Sequence, residues 1–96
     1  MAAYLVALVD VTDPDAYREY ATRAGAAAKK RGIKALARGG RTVSLEGPPP
    51  PGRVVILPFE NLEAAQAYYD SAEYQEAKTF REGAATAQFF LVEGVD

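Results

Sequence analysis

The 96-residue sequence contains no cysteine, no histidine and no tryptophan. Without cysteine, the chain has no disulfide, no thiol nucleophile and no zinc–thiolate site. Without histidine, it lacks the usual general base near neutral pH and the commonest protein ligand of metals and haem. Any chemistry of its own must therefore come from carboxylate, phenol, hydroxyl, amine, guanidinium, amide or backbone groups, or from a bound cofactor.

A strong charge of one sign and long apolar runs are also missing. The net charge is −2 and the pI is near 5.1, which argues against nucleic acid or an anionic membrane as a partner. No apolar stretch approaches the ~20 residues that span a bilayer. The opening "MAAYLVALVDV" has no basic region of the secretory kind. We therefore expect a cytoplasmic protein that binds neither nucleic acid nor membrane.

Hydrophobic residues make up 49% of the sequence, which is typical of a globular domain, and the length suits one domain over residues 1–96. Apolar runs and breakers predict strands at residues 4–11, 34–46, 53–59 and 87–93. Helices are predicted at 14–31, 62–69 and 72–82, capped by Asp13, Asn61 and Ser71. This β-α-β-β-α-β order predicts an α+β, ferredoxin-like domain with a four-stranded antiparallel sheet, helices on one face and a split second helical region.

The first strand is apolar on both of its faces. Strand geometry points Leu5, Ala7 and Val9 to one side of the sheet and their neighbours to the other. Helices cover only one side of a ferredoxin-like sheet, so the other would expose more apolar surface than a soluble monomer usually does. The pattern therefore predicts a homodimer that forms through the sheet faces.

Several blocks of the sequence resemble one family over nearly the whole chain. These blocks are "VDVTDPDAYREY", "ARGG…VSLEG", "PGRVVILPF", "AAQAYYDSAEYQEA" and "FLVEGVD". They resemble the domain-of-unknown-function 1330 family, in the dimeric α/β-barrel superfamily. The resemblance implies a ferredoxin-like fold and a dimer whose sheets face each other, and it implies no established activity.

Wider members of that superfamily include cofactor-free monooxygenases, muconolactone isomerase-like proteins and haem enzymes. The haem members use a proximal histidine, and the monooxygenases often rely on histidine or tryptophan; this sequence has neither residue. We therefore expect no haem, no metal and no other cofactor.

The stretch "RGGRTVSLEG", residues 38–47, allows two interpretations. It is either a bent strand with two solvated arginines, or a place where Arg38 and Arg53 converge to clamp a carboxylate. In the second interpretation Arg38 faces the pocket and Arg41 does not, because the residues beyond the Gly39-Gly40 bend are needed for edge pairing. We expect the distal half, Thr42–Glu46, to pair beyond the plane of the main sheet.

The segment "YYDSAEYQ" also has two interpretations. It is either a helix–helix corner capped by Ser71, or the rim of a cavity where Tyr69 and Glu73 are the candidate catalytic residues. Arg81 lies in an apolar stretch and needs a partner, which is either Glu73 or a ligand anion.

Two functions remain open from the sequence. One is a protein that binds or transforms a small organic acid in a pocket between helices and sheet, with Arg38, Arg53 and Arg81 as ligand-binding residues. The other is a non-catalytic dimeric binding or structural module. Whether the protein is an enzyme is left open at this point.

Overall fold

The computed structural model describes residues 1–95 and contains four strands and three helices. In chain order these are β1 Ala3–Val11, α1 Pro14–Lys30, β2 Ala37–Arg38, β3 Arg53–Phe59, α2 Leu62–Asp70, α3 Ala72–Thr79 and β4 Ala85–Glu93. The strands form one antiparallel sheet in the order β2-β3-β1-β4. The predicted α+β, ferredoxin-like architecture is confirmed, including the division of the second helical region.

Each helix begins where the sequence places its cap. Asp13 accepts a hydrogen bond from the Ala16 amide at 3.2 Å, and Asn61 accepts one from the Ala64 amide at 2.7 Å. Ser71 accepts from the Tyr74 amide at 3.2 Å and donates to the Tyr68 carbonyl at 2.7 Å, so it joins α2 to α3. These bonds satisfy amides that have no partner inside the first helical turn.

The predicted second strand is much shorter than expected. Only Ala37–Arg38 form a strand, and its last link to β3 is the bond from the Gly39 amide to the Val54 carbonyl. In this register the chain beyond Gly40 would lie opposite Gly52 and the prolines before it, and prolines cannot donate to a ladder. The expected pairing of Thr42–Glu46 is therefore wrong for the described residues.

Two further boundaries differ from the predicted ones. Helix α3 ends at Thr79, and β4 begins at Ala85. The turn between them contains Gly83, whose φ of +78° lies in the left-handed region that glycine adopts without strain.

The two faces of the sheet have different surroundings. The helix face carries Leu5, Ala7 and Val9 of β1, which are at most 2% exposed. It also carries Leu57 and Phe59 of β3, which pair with Leu5 and Ala3. The helices cover this face with buried tyrosines and alanines of α1, α2 and α3. The core of the protein therefore lies between the helices and this face.

The opposite side, the open face, is apolar, and no element of residues 1–95 covers it. Its residues are Tyr4, Val6, Leu8, Val54, Ile56, Phe90 and Val92. Phe90 is 42% exposed and Val92 is 47% exposed. Separately, none of the helices in residues 1–95 has both the length and the apolar character needed to cross a membrane.

Candidate functional site

A cavity of about 70 Å³ lies between α1 and the helix face of the sheet. One ordered water needs about 10–15 Å³, so the cavity has room for several waters or for the few heavy atoms of a very small organic molecule. Its walls are mostly aliphatic and aromatic. The polar side chains that line it are Arg38, Arg53, Tyr17, Tyr20, Tyr68 and Tyr74.

Strand register brings the two arginines to this cavity. Arg53 lies opposite Val9 on β1, and Arg38 lies opposite Val55 on β3, so both belong to the helix face. On the other wall, Ala21, Ala24 and Gly25 of α1 line the cavity. Because these residues have little or no side chain, the helix leaves open space where larger residues would fill it.

The Arg53 guanidinium lies between a glycine and an aromatic ring. Its Cζ is 3.0 Å from the position that a Cβ on Gly39 would occupy, and 5.5 Å from the centre of the Tyr17 ring. Its Nε is buried and has no hydrogen-bond partner among residues 1–95. No carboxylate in this part of the chain pairs with Arg53. The guanidinium is thus held in place with a donor unused.

Arg38 lies at the same cavity but is itself exposed, so it belongs to the mouth rather than the interior. Arg41 is exposed and does not line the cavity. The glycine bend therefore separates the two arginines. That either of them binds a ligand stays a prediction.

A cluster of phenols forms the inner wall. The Tyr20 and Tyr74 hydroxyls are 2.8 Å apart and share a hydrogen bond, and the Tyr68 hydroxyl donates to the Ala24 carbonyl at 3.2 Å. Burial raises the pKa of Tyr20, Tyr68 and Tyr74 above the usual value near 10. All three phenols are therefore protonated at neutral pH.

Arg81 lies behind this phenol cluster. Its Cζ is 4.3 Å from the centre of the Phe89 ring and 5.1 Å from that of Tyr20, and its Nη2 is 3.5 Å from the Tyr74 hydroxyl. Its Nε is also buried without a partner among residues 1–95. Arg81 therefore packs by cation–π contacts and has no carboxylate partner in the described chain.

The expected contact between Glu73 and Arg81 does not form. Glu73 is exposed, and it accepts a hydrogen bond from Lys30 Nζ at 3.1 Å. A backbone hydrogen bond, followed by Lys30, lowers the pKa of Glu73 below its usual value. The α3 turn that would bring Glu73 inward instead presents Tyr74, which is 1% exposed.

Tyr69 also lies outside the cavity. Its hydroxyl accepts a hydrogen bond from Lys78 Nζ at 2.9 Å, and this bond raises the pKa of Lys78. Its ring packs on Tyr74 at 5.1 Å between centroids. The structure thus keeps the two candidate catalytic residues, Tyr69 and Glu73, apart from the cavity that contains Arg38 and Arg53.

Sequence reasoning assigned no site role to Tyr17, Tyr20 or Tyr68. A signal for the first two was present, because they fall on the apolar face of α1 next to the small residues Ala21, Ala24 and Gly25. An aromatic pair beside residues that cannot fill space is what a helix needs to form one wall of a pocket.

The family of the chain follows from its sequence as a whole. The sequence model of the protein family described as "Domain of unknown function (DUF1330)" matches residues 2–95 of the chain. The chain belongs to this family. The resemblance predicted from the sequence blocks is therefore confirmed. The description of the family names no activity.

Solved structures share the architecture of this DUF1330 member at low sequence identity. A protein of unknown function from Rhodopseudomonas palustris aligns with a TM-score of 0.72 and 21% identity, over 99% of this chain and 83% of the other. A dimeric protein of unknown function and ferredoxin-like fold from Bacteroides fragilis aligns with a TM-score of 0.66 and 13% identity, over 97% and 96% of the two chains.

A cofactor-independent oxygenase, SnoaB from Streptomyces nogalater, also has this fold. It aligns with a TM-score of 0.67 and 14% identity, over 99% of this chain and 94% of the other. At these identities the likeness shows the fold alone. No curated protein matches the chain.

Proposed function

We propose that this protein binds a small organic acid in the cavity between α1 and the sheet, with Arg53 as the principal anchor of the carboxylate. The observation that carries the proposal is the buried, unpartnered Nε of Arg53 beside a cavity whose lining contains no acidic residue. A partly buried cation without a counterion is costly, and a ligand carboxylate removes that cost.

The chemistry of the walls suits such a ligand. A guanidinium presents parallel donors that match a carboxylate, and Arg38 at the mouth adds a second positive charge. The aliphatic and aromatic remainder of the lining matches a hydrocarbon body. The ligand is therefore an acid with a compact apolar part, held without metal or haem.

The residues that line the cavity bear on both functions considered for the protein, an enzyme and a non-catalytic binding module. In an enzyme of this kind, the protonated phenols donate hydrogen bonds to an oxygen that becomes negative during the reaction. The fold likeness to a cofactor-independent oxygenase gives this class a precedent. The alternative, a non-catalytic binding module, is supported by the lining itself, which holds no carboxylate or other ordinary general base.

The proposal includes a homodimer formed through the open faces of two sheets, as in a dimeric α/β barrel. Two exposed residues, Phe90 and Val92, lie on the edge strand β4 and belong to an apolar surface that residues 1–95 leave uncovered. A soluble protein seldom leaves such a surface in water, and a second copy covers it with closed two-fold symmetry. A dimeric neighbour with the same fold supports this assembly.

Calorimetry with benzoate and pentanoate tests the binding site, with benzamide and pentanamide as neutral controls. We expect the acids to bind, the amides not to bind, and Arg53→Met to weaken acid binding more than tenfold. Arg41→Met is the matched control because Arg41 lies outside the cavity. Equal weakening in both variants, or no acid binding by the wild type, would show the proposal to be wrong. Mass analysis of the acid after aerobic incubation separates transformation from binding.

A further inference from the structure

The phenols of Tyr20 and Tyr74, at the inner end of the cavity, carry two hydroxyl hydrogens. Residues 1–95 provide a hydrogen-bond acceptor for only one of them. Tyr20 and Tyr74 are 6% and 1% exposed, and their hydroxyl oxygens are 2.8 Å apart. Each hydroxyl carries one hydrogen. One hydrogen is used in the bond between the two oxygens, whichever of them donates. No acceptor among residues 1–95 takes the second hydrogen.

The third polar group at this end adds donors and no acceptor. Arg81 Nη2 approaches the Tyr74 hydroxyl at 3.5 Å, and a guanidinium can only donate. If Tyr74 receives from Arg81 and gives to Tyr20, the Tyr20 hydroxyl hydrogen is the free one. Tyr20 and Tyr74 both line the cavity, so in either arrangement the free donor belongs to a cavity-lining phenol.

Ionisation does not remove this surplus near neutral pH. Burial raises the pKa of both Tyr20 and Tyr74, so each phenol keeps its hydrogen. A buried donor without an acceptor is costly and rare in native proteins. The inner end of the cavity is therefore matched to a ligand oxygen that accepts a hydrogen bond.

The arginine and phenol ends belong to one cavity. The Arg53 guanidinium lies 5.5 Å from the Tyr17 ring centre, and the Tyr17 and Tyr20 rings are 5.2 Å apart between centroids. Arg53, Tyr20 and Tyr74 also line the same cavity, so one ligand in it meets both kinds of group.

We infer that the ligand is a small oxo acid, whose carboxylate binds Arg53 and whose carbonyl oxygen accepts the free hydrogen of the Tyr20–Tyr74 pair. This inference rests on the proposed function, because it assigns the class of acid that the same cavity takes. A hydroxy acid fits less well when Tyr74 receives from Arg81 and gives to Tyr20, since each phenol oxygen then already accepts one hydrogen bond. A plain acid leaves the phenol hydrogen unused.

Binding of pentanoate, 4-hydroxypentanoate, 2-oxopentanoate and 4-oxopentanoate tests the inference by calorimetry. The four acids share a five-carbon chain and differ in the oxygen outside the carboxylate. Pentanoate has none, 4-hydroxypentanoate has a hydroxyl, and the two oxo acids have a carbonyl at carbon 2 or carbon 4. We expect at least one oxo acid to bind about threefold to tenfold more tightly than pentanoate, the range that one net hydrogen bond gives. The hydroxy acid should not share this advantage.

The double variant Tyr20→Phe/Tyr74→Phe removes both hydroxyls and should lower the affinity for the oxo acid to that for pentanoate. Each single variant removes one hydroxyl together with the hydrogen bond between the pair, so the remaining hydroxyl still has a free hydrogen and should keep a preference for the oxo acid. The acid series on the wild type decides the question if the double variant does not fold. Tyr69→Phe is the matched control, because the Tyr69 hydroxyl bonds Lys78 outside the cavity. Thermal melts establish that each variant is folded.

The outcomes separate this inference from the function on which it rests. If pentanoate and both oxo acids bind equally, or if the preference survives in the folded double variant, the oxo-acid assignment is overturned and acid binding stands. If none of the four acids binds, the proposed function itself is overturned, and the assignment with it.

Discussion

The two faces of the sheet are made of similar apolar residues but differ in their burial. Leu5, Ala7 and Val9 on the helix face are at most 2% exposed, whereas Phe90 and Val92 on the open face are 42% and 47% exposed. Strand alternation makes both faces apolar, but only one receives helices from the same chain. The comparison teaches that an apolar strand pattern identifies surfaces to be covered and does not identify what covers them.

The faces also differ in their polar groups. Helix cover on one side encloses Arg53 Nε and the hydroxyls of Tyr20 and Tyr74 beside a cavity, so these donors are withdrawn from water. The open face has no such enclosure in residues 1–95. We therefore expect a ligand site on the covered side and an interface on the other.

The largest effect should come from one charge placed on each face in turn. Leu57→Asp puts a carboxylate into the core, where Leu57 is 9% exposed, and should lower the free energy of unfolding by roughly 4 kcal/mol or more. Ile56→Asp places the same charge on the open face, where it should raise the dimer dissociation constant more than tenfold. Urea denaturation measures the first effect and sedimentation the second.

The contrast between these two variants is the test of the face assignment. A Leu57→Asp protein as stable as the wild type would contradict the core assignment. An Ile56→Asp protein that stays dimeric at low micromolar concentration would contradict the dimer interface. Conversely, strong destabilisation of the isolated subunit by Ile56→Asp would mean that the open face contributes to the core.

Alkaline pH should act through the covered side. The pKa values of Tyr20, Tyr68 and Tyr74 are raised in the folded protein, so between pH 10 and those values the unfolded chain has lost protons that the folded chain keeps. Stability is therefore fully present below pH 10 and falls above it, by up to about 1.4 kcal/mol per pH unit for each tyrosine.

Urea unfolding at pH 8, 10 and 11 measures this slope. Tyr68→Phe should make the loss above pH 10 shallower, because one raised phenol is removed. The same slope in the wild type and in this variant would show that Tyr68 does not contribute to it.

The smallest expected effect on stability comes from replacing a glycine at the edge of the helix face, and it tests how Arg53 is placed there. Gly39 and Gly32 have φ values of +71° and +72°, so alanine at either position should cost about 1–2 kcal/mol of stability. Only at Gly39 does a new Cβ meet a neighbour, the Arg53 guanidinium, whereas Gly32 has open space. Because that guanidinium can move, we expect the added cost in stability to be small and the proposed acid anchor to be displaced.

We therefore expect similar losses of stability in Gly39→Ala and Gly32→Ala, with weaker benzoate binding in Gly39→Ala alone. Thermal melts and calorimetry on the pair measure both quantities. Unchanged benzoate binding in Gly39→Ala would contradict the role of Gly39 in placing Arg53.

Much of the fold could be predicted because its signals are local. Asp13, Asn61 and Ser71 are caps that act within one helical turn, and alternation in "YLVALVDV" assigns side chains to faces over a few residues. The length of the second strand was overestimated because polar and apolar residues alternate in "RTVSLE" as they do in a strand. Pairing depends on the partner opposite, and there the partner strand has given way to Gly52 and proline.

The candidate site was predicted only in part for a related reason. Register on an identified strand places Arg53 on the helix face, and the bend at Gly39 separates Arg38 from Arg41. Glu73 was expected near Arg81, yet it pairs with Lys30 on α1. That choice depends on how α3 rotates against α1, which no local pattern specifies.

The sequence by itself determined the element order, the helix starts, the two apolar faces and the absence of thiol and imidazole chemistry, since these depend on residue types and on neighbours a few positions apart. Only the tertiary structure decided that Tyr20 and Tyr74, 54 residues apart, share a hydrogen bond and leave one donor free beside a cavity. Such a contact depends on the packing angle of two helices on one sheet. That angle is set by the sum of many weak contacts across the whole core.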